Sequence, residues 1–579
     1  MDRDSEAKMG RRQLLHSAAG AIVGSQVLGR GAARAEPVQV FDYDVAIIGS
    51  GAAGMTAALV AAKRGLRTLV IEKAGKFGGS TARSGAGIWI PNNEIVLAAG
   101  VPDSKALAAA YLAAVVGGDV ARDRQAAFLD HGPAMISFVM RNSPLRFRFM
   151  EGYPDYYPER TGGMPHGRSI EPDMFDGNLL GEELAHLNPA YMPLPDGVVV
   201  FGADYKWLTL ALVNAKGAAT AVEMVARYGK AVACGKKPLT MGQALAGGLR
   251  AGLLSAGVPV WLNSAMLDVK VEGGRVTGVL VQRDGASVLV RAKRGVIVAS
   301  GGFERDLTMR TRYQEQPIGV DWTMGATSNT GDGIRAGLEV GAAVALMDDA
   351  WWGPTIPLPE GPYFCLSERT LPGSIMVDAG GKRFVNEAAP YSDVVHTMYQ
   401  KGAVPAWMVV DQNYRNRYLF RDLGPLLPFP ASWYENGSLV SAVTLAGLAA
   451  KMGVPPDALE QTIARFNGLA LAGTDVDFHR GDSAYDHYFA DPAVCPNSCL
   501  APLSLPPFHA FKIVPGDLGT KGGLVTDAAA RVLTPAGAVI PGLYAAGNAS
   551  AAVMGHSYAG AGSTIGPAMT FGFIAANGI

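Results

Sequence analysis

Near the end of this 579-residue chain, Val553–Met569 reads VMGHSYAGAGSTIGPAM and places one tyrosine, Tyr558, inside a glycine-rich loop. Nothing acidic or basic flanks it except His556. Chemistry there must rest on a hydroxyl, on backbone N–H groups and on whatever the rest of the chain brings beside them. A second stretch able to do chemistry begins at Asp42: DYDVAIIGSGAAGMTAALVAAKRGLRTLVIEK. Gly49, Gly51 and Gly54, with Ala53 between them, form GxGxxG after a short apolar run at 44–48, and a second apolar run at 67–71 ends at Glu72. Glycines at such a turn let the backbone approach a pyrophosphate at a helix N-terminus, and an acid ~20 positions further on accepts the ribose hydroxyls.

Which dinucleotide is decided by two further segments. Directly after Glu72 come Lys73 and FGGSTARSGAGIWIPNN (77–93), where Gly79, Ser80 and Thr81 begin a run suited to wrapping an extended phosphoribityl chain. At the far end GLYAAGNAS (542–550) reads as a strand entering a loop at Gly547 and Asn548, and Thr564-Ile565 open an apolar helix. A cofactor gripped by both ends of the chain, with a helix N-terminus near a ring that becomes negative on reduction, fits FAD. The plainer alternative is that the C-terminal glycines only pack a helix on a sheet.

The elements that must position these residues form an α/β fold: a Rossmann-type FAD-binding domain with an inserted α+β catalytic (capping) domain. Turns at Gly273-Gly274 and Asp284-Gly285 punctuate strand-rich sequence, predicting an antiparallel extension of the parallel sheet. GVIVASGGFERD (295–306) is a strand ending in paired glycines, and helical patterns appear near 443–471. The expected boundaries are 36–349 and 518–579 for the FAD-binding domain and 350–517 for the insertion.

Lys+Arg 50 against Asp+Glu 51 gives a net charge of -1 without a basic block beyond the N-terminal segment, which disfavours nucleic acid as a partner. Residues 1–35 differ in texture. Arg11-Arg12 precedes the apolar run Ser17–Gly29, and Ala33-Arg34-Ala35 supplies a small-x-small pattern. This predicts a twin-arginine export signal cleaved after Ala35 and a periplasmic or secreted protein. No run of ~18 apolar residues occurs, so a transmembrane span is not expected. Cys495 and Cys499 in CPNSC could bridge in an oxidising compartment, and no histidine cluster accompanies them to suggest a metal.

Over residues 42–579 the chain resembles the fumarate reductase/succinate dehydrogenase flavoprotein superfamily, and more closely the 3-ketosteroid Δ1-dehydrogenases. The resemblance is carried by GSTARSGAGIWIPNN (79–93), YPDYYPERTGG (153–163), AWWGPTIP (350–357), RFVNEAAPY (383–391), GTKGGLVTD (519–527) and the Tyr558 loop. Fumarate reductases share the RFxNE element but place an arginine four residues after its glutamate; here that residue is Tyr391. They also carry arginine and histidine in the C-terminal loop to grip a dicarboxylate. A site without those cations implies a neutral, apolar substrate. Ser80 stands where covalently flavinylated relatives have the linking histidine, implying noncovalent FAD.

The resemblance implies removal of a proton from C2 and a hydride from C1 of a 3-ketosteroid, with electrons passing to FAD and then to a quinone or redox protein. It assigns Tyr558 O–H and the Gly562 N–H to polarise the C3 ketone, Tyr391 to act as general base, and Tyr156 to assist it, with Tyr153 and Tyr157 as close alternatives. A related flavin dehydrogenase or ene-reductase acting on another enone, or at another ring position such as Δ4-(5α), is the alternative. Trp351 and Trp352 are either core or walls of the substrate pocket, and His556 reads as structural. The family loop reads close to YPGPG, whereas this one is YAGAG. Loss of both prolines predicts a looser backbone around Gly562 that admits a bulkier ring system. The segment 170–205 reads as a lid or an oligomer contact.

Overall fold

Val45, Ala46, Ile47 and Ile48 are buried on both sides, as an apolar run without alternation requires of a strand covered on both faces. The strand Val40–Ile48 lies between Thr68–Ile71 and Ala286–Val298, parallel to both. The helix Ala52–Lys63 makes the first crossover. The computed structural model describes residues 39–192 and 196–579, and Gln39–Ile579 form one compact unit. The predicted export signal lies outside the described residues.

From Ala286–Val298 the sheet continues in two directions. The antiparallel strands Ser264–Glu272 and Arg275–Arg283 extend it through the expected turns, Gly273 and Gly274 at φ 55° and 75°, and Asp284 and Gly285 at φ 49° and 80°. Such left-handed pairs match the twist of a two-residue hairpin. On the other side Val539–Ala545 returns from the end of the chain, with Val296 opposite Leu543. This pairing brings the loop after Ala545 to the same sheet edge as the GxGxxG turn. The last helix, Ile565–Gly578, then packs on Ala52–Lys63 at Gly572, where a Cβ would lie 2.4 Å from the Ala53 carbonyl oxygen.

A second sheet comes from the segment between these halves. Its order is Gly361–Phe364, Ala350–Leu358, Phe508–Thr520, Ala406–Val410, Ser374–Val377, with Leu439–Ala442 also pairing with Phe508–Thr520. Entry and exit are adjacent, since Ala350 is opposite Thr520. The helices Leu445–Met452 and Pro456–Ala472 bury Leu448, Leu459, Ile463 and Phe466 against Ile375, Val409 and Ala510 of this sheet. The helix Tyr391–Gln400 begins at Tyr391 itself, immediately after Pro390.

The possible Cys495–Cys499 bridge is not formed. Both thiols are free, Cys495 is exposed, and buried Cys499 Sγ sits 3.4 Å from His487 Nδ1. Among the described residues no helix is long and apolar enough to cross a membrane, and no cluster suited to a metal ion occurs.

Candidate active site

A cavity of about 910 Å³ runs from the GxGxxG turn to the C-terminal loop. Its first half is built for close approach of an extended phosphate-bearing ligand. Gly49 has φ +103°, and a Cβ there would lie 2.3 Å from the Ala299 oxygen; at Gly54 it would lie 2.0 Å from the Gly49 oxygen. Gly51 instead faces open space, its nearest neighbour being Thr81 Oγ1 at 3.6 Å. The helix Ala52–Lys63 starts at Gly51 without a side-chain cap, leaving its N-terminal field to the cavity. Glu72 is fixed at the strand end: Oε2 accepts from Ser50 N (3.0 Å) and Ser50 Oγ (2.7 Å), and Oε1 accepts from Ala74 N (2.9 Å).

Gly49, Gly51, Ala53, Glu72, Lys73, Gly79, Ser80, Thr81, Gly547, Asn548, Thr564 and Ile565 all line this cavity. Gly54 does not; it lies one layer back and lets the helix approach the turn. Lys73 is paired with Asp332 and donates to Thr330 Oγ1 at 2.6 Å. Ser80 Oγ accepts from Ala326 N (2.9 Å) and Asn329 Nδ2 (3.0 Å). At the opposite end the helix Ile565–Gly578 also begins without a side-chain cap. Two helix N-termini and a fixed acid fit a dinucleotide whose ring gains negative charge on reduction.

The second half of the cavity carries the tyrosines. Tyr156 O–H donates to Tyr391 O at 2.8 Å, and both rings lie close to Tyr558, at 5.1 and 5.2 Å between centroids. Tyr157 points elsewhere, donating to Asp393 Oδ1 at 2.8 Å, and Tyr153 stacks on Tyr488 at 4.1 Å. Burial pushes the Tyr391 hydroxyl well above its ordinary value, Tyr558, Tyr153 and Tyr485 add to this, and the hydrogen bond from Tyr156 opposes it. Tyr558 is likewise raised by burial, with Thr564 opposing, so its hydroxyl is held as a donor. Its oxygen lies 2.8 Å from Thr564 Oγ1.

Gly562 has φ +94°, and a Cβ there would lie 2.2 Å from Gly87 C. Only glycine fits both the backbone conformation and the contact. Its carbonyl accepts from Trp89 N (3.2 Å) and Gly566 N (2.9 Å), while its N–H makes no hydrogen bond among the described residues and lies in the cavity lining.

The YAGAG backbone is not loose. Its carbonyls are tied down where the family's prolines would restrain it: Ala559 O accepts from Tyr111 O–H (2.7 Å) and Tyr156 N (3.0 Å), and Ala561 O from Ser169 Oγ (2.7 Å). Tyr111 O in turn accepts from Tyr157 N at 3.2 Å. One hydroxyl thus joins the Tyr156 segment to the Tyr558 loop. Behind it Asp155, fully buried, accepts from Trp89 Nε1 (2.8 Å) and Met164 N (3.0 Å) and pairs with Arg168.

Trp351 and Trp352 do not wall the large cavity. Alternation along their strand sends them to opposite faces. Trp351 backs Tyr558 at 4.9 Å and donates to Asn548 Oδ1, and Trp352 is buried with its Nε1 2.6 Å from Asp349 Oδ1. His556 lies outside the cavity lining, facing Asp119 (2.9 Å) and Asp348 (3.3 Å). Within the segment 170–205, residues 190–192, 196–200, Gly202 and Tyr205 line the cavity, while 193–195 lie outside the described residues. Tyr111 carries no sequence signal of its own, and Trp89 and Asp155 lie inside the segments 79–93 and 153–163 without a role legible there; Ser300 and Gly301, which line the cavity, follow the strand Ala286–Val298 in the SGG run visible in the sequence.

A model of the FAD binding domain family matches residues 44–565. A 3-oxosteroid 1-dehydrogenase of Mycobacterium tuberculosis (strain ATCC 25618 / H37Rv) is 52% identical over 551 residues, spanning 93% of this chain and 98% of that protein. A 4-oxocyclohexanecarboxylate 2-dehydrogenase of Sinomonas cyclohexanicum is 36% identical over 92% of each chain. Among solved structures, the 3-ketosteroid Δ1-dehydrogenase of Sterolibacterium denitrificans in complex with 1,4-androstadiene-3,17-dione is similar at a TM-score of 0.88 and 40% identity, covering 93% of this chain and 99% of that one.

Proposed function

The chain belongs to the FAD-dependent 3-oxosteroid 1-dehydrogenases, and from that premise we propose a role for each residue of its tyrosine cluster. It oxidises 3-ketosteroids between C1 and C2. Bound FAD supplies the hydride acceptor. Tyr558 O–H and Gly562 N–H hold the C3 oxygen, and Thr564, 2.8 Å from Tyr558, donates to the phenol oxygen while the phenol donates to the ketone. Polarised in this way, the ketone stabilises charge developing at its oxygen as the C2 proton leaves for the Tyr391 phenolate. The electron pair of that C–H bond forms the C1–C2 double bond as hydride departs from C1. Tyr156 O–H, donating to Tyr391, favours the ionised base.

The observation that carries this reading is the 2.8 Å Tyr156–Tyr391 hydrogen bond facing Tyr558 inside an apolar cavity. FAD is held without a covalent link, because serine at position 80 offers no imidazole. The electrons pass on to a quinone or a redox protein. Export by the twin-arginine route is supported by Arg11-Arg12, the apolar run and Ala33-Arg34-Ala35; recovery of the protein from the periplasm starting at Glu36 tests it. Cyclic ketones other than steroids are a second reading, favoured by the similarity to the 4-oxocyclohexanecarboxylate enzyme. Mass spectrometry after incubation with a 3-keto-4-ene steroid and an artificial electron acceptor separates the two. Loss of two hydrogens between C1 and C2 supports the assignment, whereas no product from flavin-loaded protein rejects it.

A further inference from the structure

Arg369 is fully buried and has no carboxylate within ion-pair distance among the described residues. Its guanidinium is instead fixed by the turn that leads into Tyr391, Nη1 donating to the carbonyls of Glu387 and Ala389, the latter at 2.9 Å. Nε and Nη2 have no partner. Of the adjacent acids, the Glu387 carboxylate is committed to Arg383, Arg480 and Met376 N–H; Glu368 is held through Oε1 alone by Tyr363, Tyr205 and the Arg421 N–H, its Oε2 has no partner, and burial raises its carboxyl toward the neutral form. Tyr391 follows two residues after Ala389 and enters the tyrosine cluster, its oxygen 2.8 Å from the Tyr156 hydroxyl and its ring 5.2 Å from that of Tyr558. Tyr485, whose buried hydroxyl also has no partner, packs tilted against Tyr156 with centroids 4.8 Å apart, and Tyr153 lies 6.2 Å from Tyr156.

An arginine keeps its charge even when buried, and a buried charge without a counter-ion is costly. We propose that Arg369 is a positioning residue of the reaction: the cation that lets the tyrosine cluster carry one negative charge while Tyr391 is a phenolate. This rests on Tyr391 being the base. Burial pushes the Tyr153 and Tyr485 hydroxyls up and neighbouring tyrosines add to it, while Arg369 pulls both down. The other charged group acting on Tyr485 is Asp486, itself held by Asn386 Nδ2 and Gly481 N–H. Asp393, on the Tyr391 helix, is taken by Tyr157, and the buried Cys365 thiol also lies within the Arg369 field.

The test is the pH dependence of single-turnover cofactor reduction by a 3-ketosteroid in wild type, Arg369→Met and Arg369→Lys, with Tyr391→Phe as control. Loss of the cation displaces the alkaline-rising limb upward by about one pH unit or more, so that the rate near neutrality falls about tenfold and recovers at high pH. Arg369→Lys moves it in the same direction by less, and carries the test if the methionine variant does not accumulate as a flavoprotein. An unmoved limb, or a loss equal at every pH, overturns the proposal. Retained turnover in Tyr391→Phe would instead remove the base assignment on which it stands.

Discussion

Tyr558 shows how little a side chain needs in order to act when its surroundings are fixed. Replacing it by phenylalanine keeps the ring packed against Trp351 and Tyr156 but removes the donor, and kcat is expected to fall by roughly 10²–10³ with flavin retained, as measured by steady-state kinetics and visible absorbance. Tyr391→Phe is expected to abolish turnover while leaving FAD bound. Both tyrosines were legible because GHSYAGAG and RFVNEAAPY surround them. Tyr156 was less so. Three tyrosines occur within YPDYY, and only their separate partners in space, Tyr488 for Tyr153, Tyr391 for Tyr156 and Asp393 for Tyr157, distinguish them.

At the level of elements, the proposed base and the proposed ketone donors arrive on different supports. Tyr391 opens a helix beside the second sheet, whereas Tyr558 and Gly562 hang from the last strand of the first. The 156–157 segment bridges them: the Tyr111 hydroxyl ties it to the loop through Ala559 O and Tyr157 N, and Tyr157 O–H ties it to Asp393 on the Tyr391 helix. Tyr111→Phe removes one of two donors from that carbonyl and leaves a buried N–H unpaired. A loss of ~1–3 kcal/mol in denaturant unfolding is expected, together with a fall in kcat that exceeds any change in KM. A contact between positions 111 and 559 has no local sequence signature, because neither residue's neighbours hint at the other. The supports themselves were readable: uninterrupted apolar strands, paired glycines at the turns and a glycine motif before the first helix are all local features. Glu387 anchors the approach to Tyr391. Burial opposes its ionisation, but the Arg383 guanidinium, helped by Arg480, holds its carboxyl below the usual range. Its stabilising contribution is therefore present above the unfolded value of ~4.3 and lost as pH falls through the folded one. Glu387→Gln is expected to cost ~3–5 kcal/mol at neutral pH, with the deficit shrinking as both proteins are acidified, in urea titrations at several pH values.

For the whole molecule, the rate should follow the ionisation of one buried phenol. Because the Tyr391 hydroxyl is raised, its phenolate is scarce at neutrality and grows with pH, so kcat should climb about tenfold per pH unit below that value, read from a pH–rate profile. The insertion of the second sheet through adjacent strands, Ala350 opposite Thr520, lets the base-bearing half be added without disturbing the dinucleotide half. The hydrogen bonds that hold the YAGAG loop act through main-chain oxygens at Ala559 and Ala561, not through side chains. The side chain of Ala561, a residue of the cavity lining, is thereby relieved of any duty to the loop's own shape. It is the position at which evolution, or a protein engineer, can reshape the cavity wall beside Tyr558 and Gly562 and trade one ring system for another while the proposed ketone clamp stays where it is.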